Sequence, residues 1–259
     1  MEIYFEVCVD SVASSIAARN GGASRLEVCE ALIDGGVTPS VGKMEAIIRA
    51  VSPLPVHILV RPRGGDFCYD EVELSIMHRD IEAAAAAGAK GVVCGVLTRE
   101  GEVDTVATRH LFTTARIHGL RCVFHRAVDA AIDVGAAILT AARLGADEIL
   151  TSGGAASALQ GAGVIAAAGQ FLVKEGLTTR LVAGGGLTAE TAAELVRTAR
   201  VTAVHGTCRE LRDGPMATAT RKDPPTYMGS ERRLEPSVEY GRREATQASV
   251  EKIRNAMRE

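Results

Sequence analysis

Short runs of valine, isoleucine and leucine recur along the chain, each too short for a helix and each followed by an alanine-rich stretch with helical spacing. The runs Glu2–Cys8, Arg25–Cys29, Val56–Pro62, Gly91–Cys94, Arg121–His125, Glu148–Thr151, Arg180–Ala183 and Ala203–His205 read as strands. Between them Ser11–Arg19, Met44–Ala50, Glu71–Ala87, Thr105–His118, Val134–Leu144 and Ala189–Thr198 carry apolar residues at helical intervals. Asp10 and Thr188 stand where helix N-caps belong, and Gly88, Gly119 and Gly145 where a left-handed residue would end a helix. The phrases Gly22-Ala23, Gly88-Ala89 and Gly145-Ala146 repeat one helix-to-strand joint.

Strands alternating with helices imply parallel pairing through right-handed crossovers. An open doubly wound sheet fits the alternation too, but eight units in 259 residues favour an α/β fold of the closed TIM (β/α)8 type. The whole of 1–259 then reads as a single barrel domain. The segment 207–259, polar and proline-bearing, is expected to supply a loop and a helical stretch, Gly241–Arg258, that closes the barrel.

Composition narrows the function. Hydrophobic residues make up 47% of the chain and aromatic residues 3%, which suits close helix-on-strand packing and excludes wholesale disorder. The formal charge of -3 gives no support to nucleic-acid or membrane-surface binding. Six cysteines without a CxxC pair fit neither a disulfide scaffold nor a zinc finger. No signal peptide and no membrane-length apolar run is evident, so a cytoplasmic protein with reduced thiols is expected.

In a barrel of this kind functional groups gather at the C-terminal ends of the strands. Glu6 and Cys8 are two residues apart and face the same way, as do Glu27 and Cys29. Glutamates on the outer face would lie against the helices, so the lumen is the expected side. Cys8 and Cys29 then meet at the mouth of the barrel. Two close thiolates suit a soft ion such as Cu(I), while two small buried hydrophobes are the bland alternative. Cys94 and Cys208 are candidate neighbours, and Cys68 and Cys122 have no assigned part.

Glu6, Glu27, Arg61, Arg63, His125, Arg126 and Asp129 converge on the same rim. Ion pairs such as Glu27 with Arg61 would account for some of them. The remainder resembles a site for a small anion or carbonyl compound: Arg61 and Arg63 hold the anion, Glu27 and His125 move protons, and Asp129 positions His125. His125 reads equally as a hydrogen-bonded core histidine. Gly184-Gly185-Gly186 runs into a helix N-terminus and is a candidate cradle for phosphate or carboxylate. No P-loop, Rossmann fingerprint, HExxH or GxSxG element is present, so no organic cofactor is indicated.

At these strand ends the sequence resembles the CutC copper homeostasis family. The matching stretches are Glu6-Val7-Cys8-Val9-Asp10-Ser11, Arg25-Leu26-Glu27-Val28-Cys29-Glu30 with Gly35-Gly36-Val37-Thr38-Pro39-Ser40, Arg61-Pro62-Arg63-Gly64-Gly65-Asp66-Phe67 and Phe124-His125-Arg126-Ala127 with Asp129. Leu150-Thr151-Ser152-Gly153-Gly154, Gly184-Gly185-Gly186 and Val204-His205 follow in family order, and Met216 and Met228-Gly229 extend the likeness more loosely. The resemblance implies a TIM barrel, a cytoplasmic copper-handling role, a homodimer or homotetramer, and Cu(I) ligation by Cys8 and Cys29. It leaves enzymatic activity open. The chain departs from the family at Gly206-Thr207-Cys208-Arg209, where a serine-containing phrase is usual. Two readings follow. One is a protein that binds Cu(I) through thiolates. The other is a barrel enzyme of lyase, isomerase or hydrolase type acting on a small phosphorylated or carboxylated metabolite.

Overall fold

In the computed structural model, which describes residues 3–214 and 241–258, eight parallel strands close into a barrel in chain order. They are β1 (Tyr4–Val9), β2 (Arg25–Val28), β3 (Val56–Leu59), β4 (Gly91–Cys94), β5 (Arg121–Phe124), β6 (Glu148–Thr151), β7 (Arg180–Gly184) and β8 (Ala203–Gly206). Around them run α1 (Val12–Asn20), α2 (Val41–Val51), α3 (Glu71–Ala86), α4 (Thr105–Ile117), α5 (Val134–Arg143), α6 (Ala162–Lys174), α7 (Ala189–Ala199) and α8 (Gln247–Ala256). The TIM-barrel expectation holds. Met216 and Met228-Gly229 lie outside the described residues.

Local chemistry explains the helix limits. Asp70 accepts the Glu73 N–H at 2.8 Å and the Glu73 carboxylate accepts the Asp70 N–H at 3.0 Å, a reciprocal cap on α3. Asp104, Asp133, Ser11 and Ser40 cap α4, α5, α1 and α2 one-sidedly, the side chain accepting a backbone N–H of the first turn. Gly88, Gly119 and Gly145 stop α3, α4 and α5 at φ of 94°, 70° and 92°, a region that side chains rarely enter. Helix α6 begins at Gly161 with no capping side chain, and so no start signal precedes it in the sequence.

One expectation is corrected. Gly241–Ala245, expected to begin the last helix, is instead a strand (β10) antiparallel to Arg209–Asp213 (β9). Thr246 accepts the Ser249 N–H at 3.1 Å and starts α8 there, while the Ala245 N–H is held by Ser14 Oγ on α1 at 3.1 Å. The pairing partner lies in a distant stretch of chain, which local periodicity cannot report.

Most apolar side chains, among them Phe5, Leu26, Ile58 and Ile138, fill the layer between strands and helices. Inside the barrel the apolar groups are few. Cys8, Cys29, Leu59, Val93 and Val123 form one cluster, and Tyr4, Leu150, Val182 and Ala203 another. Charged groups share the lumen with them. Register sets Glu6 of β1 beside Arg25 on one flank and His205 on the other. Arg25, 2% exposed, donates from Nε to Glu6 at 2.5 Å. Its two terminal nitrogens donate across the barrel to Glu148, at 2.6 and 3.2 Å. Arg121 and Arg180 also bond Glu148, and the guanidinium carbons of Arg25 and Arg180 lie 5.2 and 4.5 Å from the Tyr4 ring centroid. Burial pushes the Glu6 and Glu148 carboxyls up, but these guanidinium contacts, with His205 beside Glu6, hold both below the usual range.

Removing one partner of such a network strands buried charge. Arg25→Met should lower unfolding stability at pH 7 by about 3–5 kcal/mol in a urea titration. The deficit should shrink toward pH 5. The stranded carboxyls then have raised pKa values and regain stability by taking up protons, whereas the native pair has depressed ones and loses stability as pH falls.

Candidate functional site at the barrel mouth

Strand register brings the two thiols together. Cys8 stands opposite Glu27 in the β1–β2 ladder, and Cys29 lies two residues further on. The Cys8 and Cys29 sulfurs are 3.5 Å apart, and both residues are buried. Cys8 Sγ also donates to Glu27 Oε1 at 3.4 Å, and Cys29 Sγ to the Val9 carbonyl at 3.7 Å. Strand spacing and rise place Cα atoms offset by two residues about 8 Å apart. That exceeds the ~7 Å limit for a disulfide. The thiols converge without the backbone geometry to be joined.

His205 completes the cluster. Its Nδ1 meets Glu6 Oε1 at 2.8 Å, and donor atoms of Cys8, Glu27 and His205 lie within 4.8 Å of one another. The contact with the Cys29 sulfur, burial and the Glu27 charge push the Cys8 thiol well above its usual range. Burial also raises the Glu27 carboxyl, although His205 opposes it. Burial lowers His205, yet Glu27 and Glu6 outweigh it and raise its pKa. The cluster is therefore a protonated thiol beside an imidazole that two carboxylates favour as a cation. Glu27, 4% exposed, has a second oxygen, Oε2, without a hydrogen-bond partner.

A cavity of about 590 Å3 opens over this cluster, lined by Cys8, Glu27 and His205 and also by Arg61 and His125. Arg61 does not pair with Glu27, contrary to expectation. It donates to the carbonyls of Asp34 (3.0 Å), Gly36 (2.8 Å) and Gly65 (2.7 Å), bracing two loops. Glu6 takes the guanidinium of Arg25 instead, because strand register places the two side by side. Arg63 turns away from the cavity, pairs with Glu73 and Asp66, and lies 5.2 Å from the Tyr69 ring centroid.

His125 ends β5 and caps the short 3-10 turn Arg126–Ala130. Its Nδ1 accepts the Ala127 N–H at 3.2 Å, leaving the proton of the neutral ring on Nε2, which has no partner. Burial, with the Arg61 charge, pushes its pKa down to about 3. The low value disfavours His125 as a neutral-pH acid or base and leaves its ring a hydrogen-bond donor through Nε2. Asp129 does not position it. The Asp129 carboxylate accepts from Thr151 Oγ1 (2.6 Å), the Ser152 and Gly154 N–H groups and Arg126 Nε (2.8 Å), tying the β5 turn to the β6 loop.

Gly185 and Gly186 line the cavity at φ of 115° and 69°. A Cβ at Gly185 would also sit 3.3 Å from Ser152 and 3.4 Å from the Arg126 guanidinium. Gly184 leaves room for Leu150 and His205, since a Cβ there would lie 2.6 Å from Leu150 Cδ1. These glycines thus have packing reasons of their own. Cys94 and Cys208 do not join the thiol pair. Both pack in the layer outside the barrel, where burial pushes the Cys94 thiol well above its usual range and the Cys208 thiol up to about 12. His205 is the residue that thiol-centred reasoning passed over. Its parity with Ala203 on β8 was the available signal, since alternation points both into the lumen.

Comparison with known proteins gives a consistent picture. The model of the CutC family matches residues 3–210. A family protein CutC of Aliivibrio fischeri is 40% identical over 221 residues, covering 83% of this chain and 86% of that protein. A human protein named copper homeostasis protein cutC homolog is 39% identical over 212 residues, 82% of this chain and 75% of that one. The solved structure of CutC from Streptococcus agalactiae aligns with a TM-score of 0.73 at 30% identity, covering 79% of this chain and 98% of that chain. A thiamine phosphate pyrophosphorylase from Pyrococcus furiosus, at 14% identity and a TM-score of 0.56 over 99% and 96% of the two chains, shares the fold.

The depressed pKa of His125 has a consequence for acid stability. A histidine held neutral in the fold takes up its proton on unfolding, so its stabilising effect is complete above about pH 6.5 and is lost as pH falls toward 3. His125→Asn should flatten the decline in urea-unfolding stability between pH 6.5 and 4. An unchanged slope would show that His125 is not the buried neutral group.

Proposed function

The chain belongs to the CutC family, and from that premise we propose that it binds Cu(I) as cargo through Cys8 and Cys29. The observation that carries this reading is the 3.5 Å approach of two buried sulfurs at a register offset that opposes a disulfide. Soft thiolates favour Cu(I) over harder divalent ions. Glu27, with an unpartnered oxygen, stands ready to take a displaced thiol proton and pass it to solvent, and His205 lies beside both. The human and mouse relatives are named copper homeostasis proteins, which agrees with this role.

The same proposal places the protein in a reducing cytoplasm, where both thiols persist. No described helix is long and apolar enough to cross a membrane. It also includes assembly into a homodimer or homotetramer, supported by exposed Val72 and Ile76 one turn apart on α3 and exposed Val106 on α4.

A second reading, a barrel enzyme acting on a small phosphorylated or carboxylated metabolite, draws on one feature. Arg61 lines the cavity, buried, with no carboxylate partner among the described residues. A lone guanidinium opposes a free cation and favours an anion.

Anaerobic competition titration with a Cu(I) chelator should give one Cu(I) per chain. The Cys8→Ser, Cys29→Ser double variant should bind at least about a hundredfold more weakly, and unchanged affinity would sink the copper reading. Ligation takes thiolates, and the raised pKa of Cys8 means that its proton at least must leave, so affinity should climb with pH between 6 and 8 by about tenfold per pH unit for each proton released to solvent. For the second reading, mass spectrometry of the supernatant from denatured, freshly purified protein should reveal a stoichiometric organic anion.

A further inference from the structure

Two buried donors on the cavity wall have no acceptor. Arg61, 6% exposed, directs three of its five N–H groups to backbone carbonyls, and Nε is left without a partner of good geometry, the unpartnered Tyr69 hydroxyl being its neighbour. His125, 5% exposed, commits Nδ1 to the Ala127 N–H and leaves Nε2–H unpartnered. Buried polar groups without partners are rare in native proteins, and a buried guanidinium without a counter-ion is rarer. Phe67 holds both groups in place. Its ring centroid is 4.9 Å from the Arg61 guanidinium carbon and 5.0 Å from the centroid of the His125 ring.

The lining gives the two donors a common destination. Both border the same cavity of about 590 Å3, inside the usual range for small-molecule sites. We propose that Arg61 and His125 form the head-group site for a small organic anion, gripping one carboxylate or phosphate through Arg61 Nε–H and His125 Nε2–H. Glu27 Oε2, unpartnered in the same cavity, receives a hydroxyl of the ligand's remaining part. The charge of Arg61 selects the anion, and the neutral imidazole adds a directional bond. Neither head-group donor belongs to the thiol cluster, and Glu27 is the one residue the two sites share. The head-group site rests on the second reading above and assigns it a ligand class and two residues.

Calorimetric titration of the purified full chain with glycolate, 2-phosphoglycolate and neutral glycolamide tests the assignment. At least one anion should bind one per chain, with glycolamide at least about tenfold weaker. The tighter of the two anions identifies the head group. Arg61→Gln should weaken that anion by about tenfold or more, and His125→Phe should weaken it in the same direction. Because Arg61 also braces two loops, circular dichroism checks its folding, and His125→Phe decides if Arg61→Gln does not fold. Equal affinity for glycolate and glycolamide, or an anion affinity that the folded variants leave unchanged, overturns the head-group assignment while anion binding elsewhere survives. No binding of any probe to the wild-type chain overturns both.

Discussion

The buried guanidinium of Arg25 is the hub on which the interior of the barrel depends. It joins Glu6 on β1 to Glu148 on the far side, so that strands remote in sequence share one charge. That contact keeps Glu6 ionised, and ionised Glu6 in turn orients and favours protonation of His205. His205 then faces the Cys8 and Glu27 pair. A chain of charge runs from the floor of the lumen to its mouth, with each member placed by the register between neighbouring strands. Buried ion pairs do little for net stability compared with apolar packing, but they penalise every wrong pairing heavily. Here a slip of one residue in β1 or β2 would turn Glu6 or Arg25 into the apolar layer outside.

Much of this was legible before the structure. Alternation at Glu6, Cys8, Glu27 and Cys29 set four side chains on one side of two neighbouring strands, and the thiols meet there. Helix ends followed from residues such as Asp70 and Gly88, whose preferences are local. What stayed hidden was pairing. Charge alone cannot tell whether Arg61 or Arg25 will meet a glutamate, because that is decided by register and by how far each guanidinium reaches along the lumen. Asp129 could not be separated from a histidine-orienting carboxylate, since only the β6 loop reveals its four donors. The β9–β10 pair was invisible for a similar reason. Its two halves are polar and joined across a long stretch of chain, so neither carries a strand period.

The cavity at the mouth is lined by two unlike sets of groups. One set, of sulfur, carboxylate and imidazole, attracts a soft cation or a proton. The other, a guanidinium and an imidazole N–H, attracts an oxyanion. The sequence alone seemed to force a choice between these chemistries, because three arginines look hostile to a cation. In the fold Arg63 turns outward to Glu73, while Arg126 and Arg209, which also line the cavity, pair with Asp129 and Asp10. Among the described arginines of the lining, Arg61 alone has no carboxylate partner, which reduces the conflict to one guanidinium.

The charged plug around Arg25 has a further meaning. Tyr4, Arg25, Arg180 and Glu148 occupy the lower lumen, so among the described residues the barrel is filled below and open at the mouth. Whatever enters at the mouth must leave by the mouth. Unloading is then a matter of exchange at that rim, in which an incoming acceptor competes for the occupant face to face, and residence time is set by who can approach the opening.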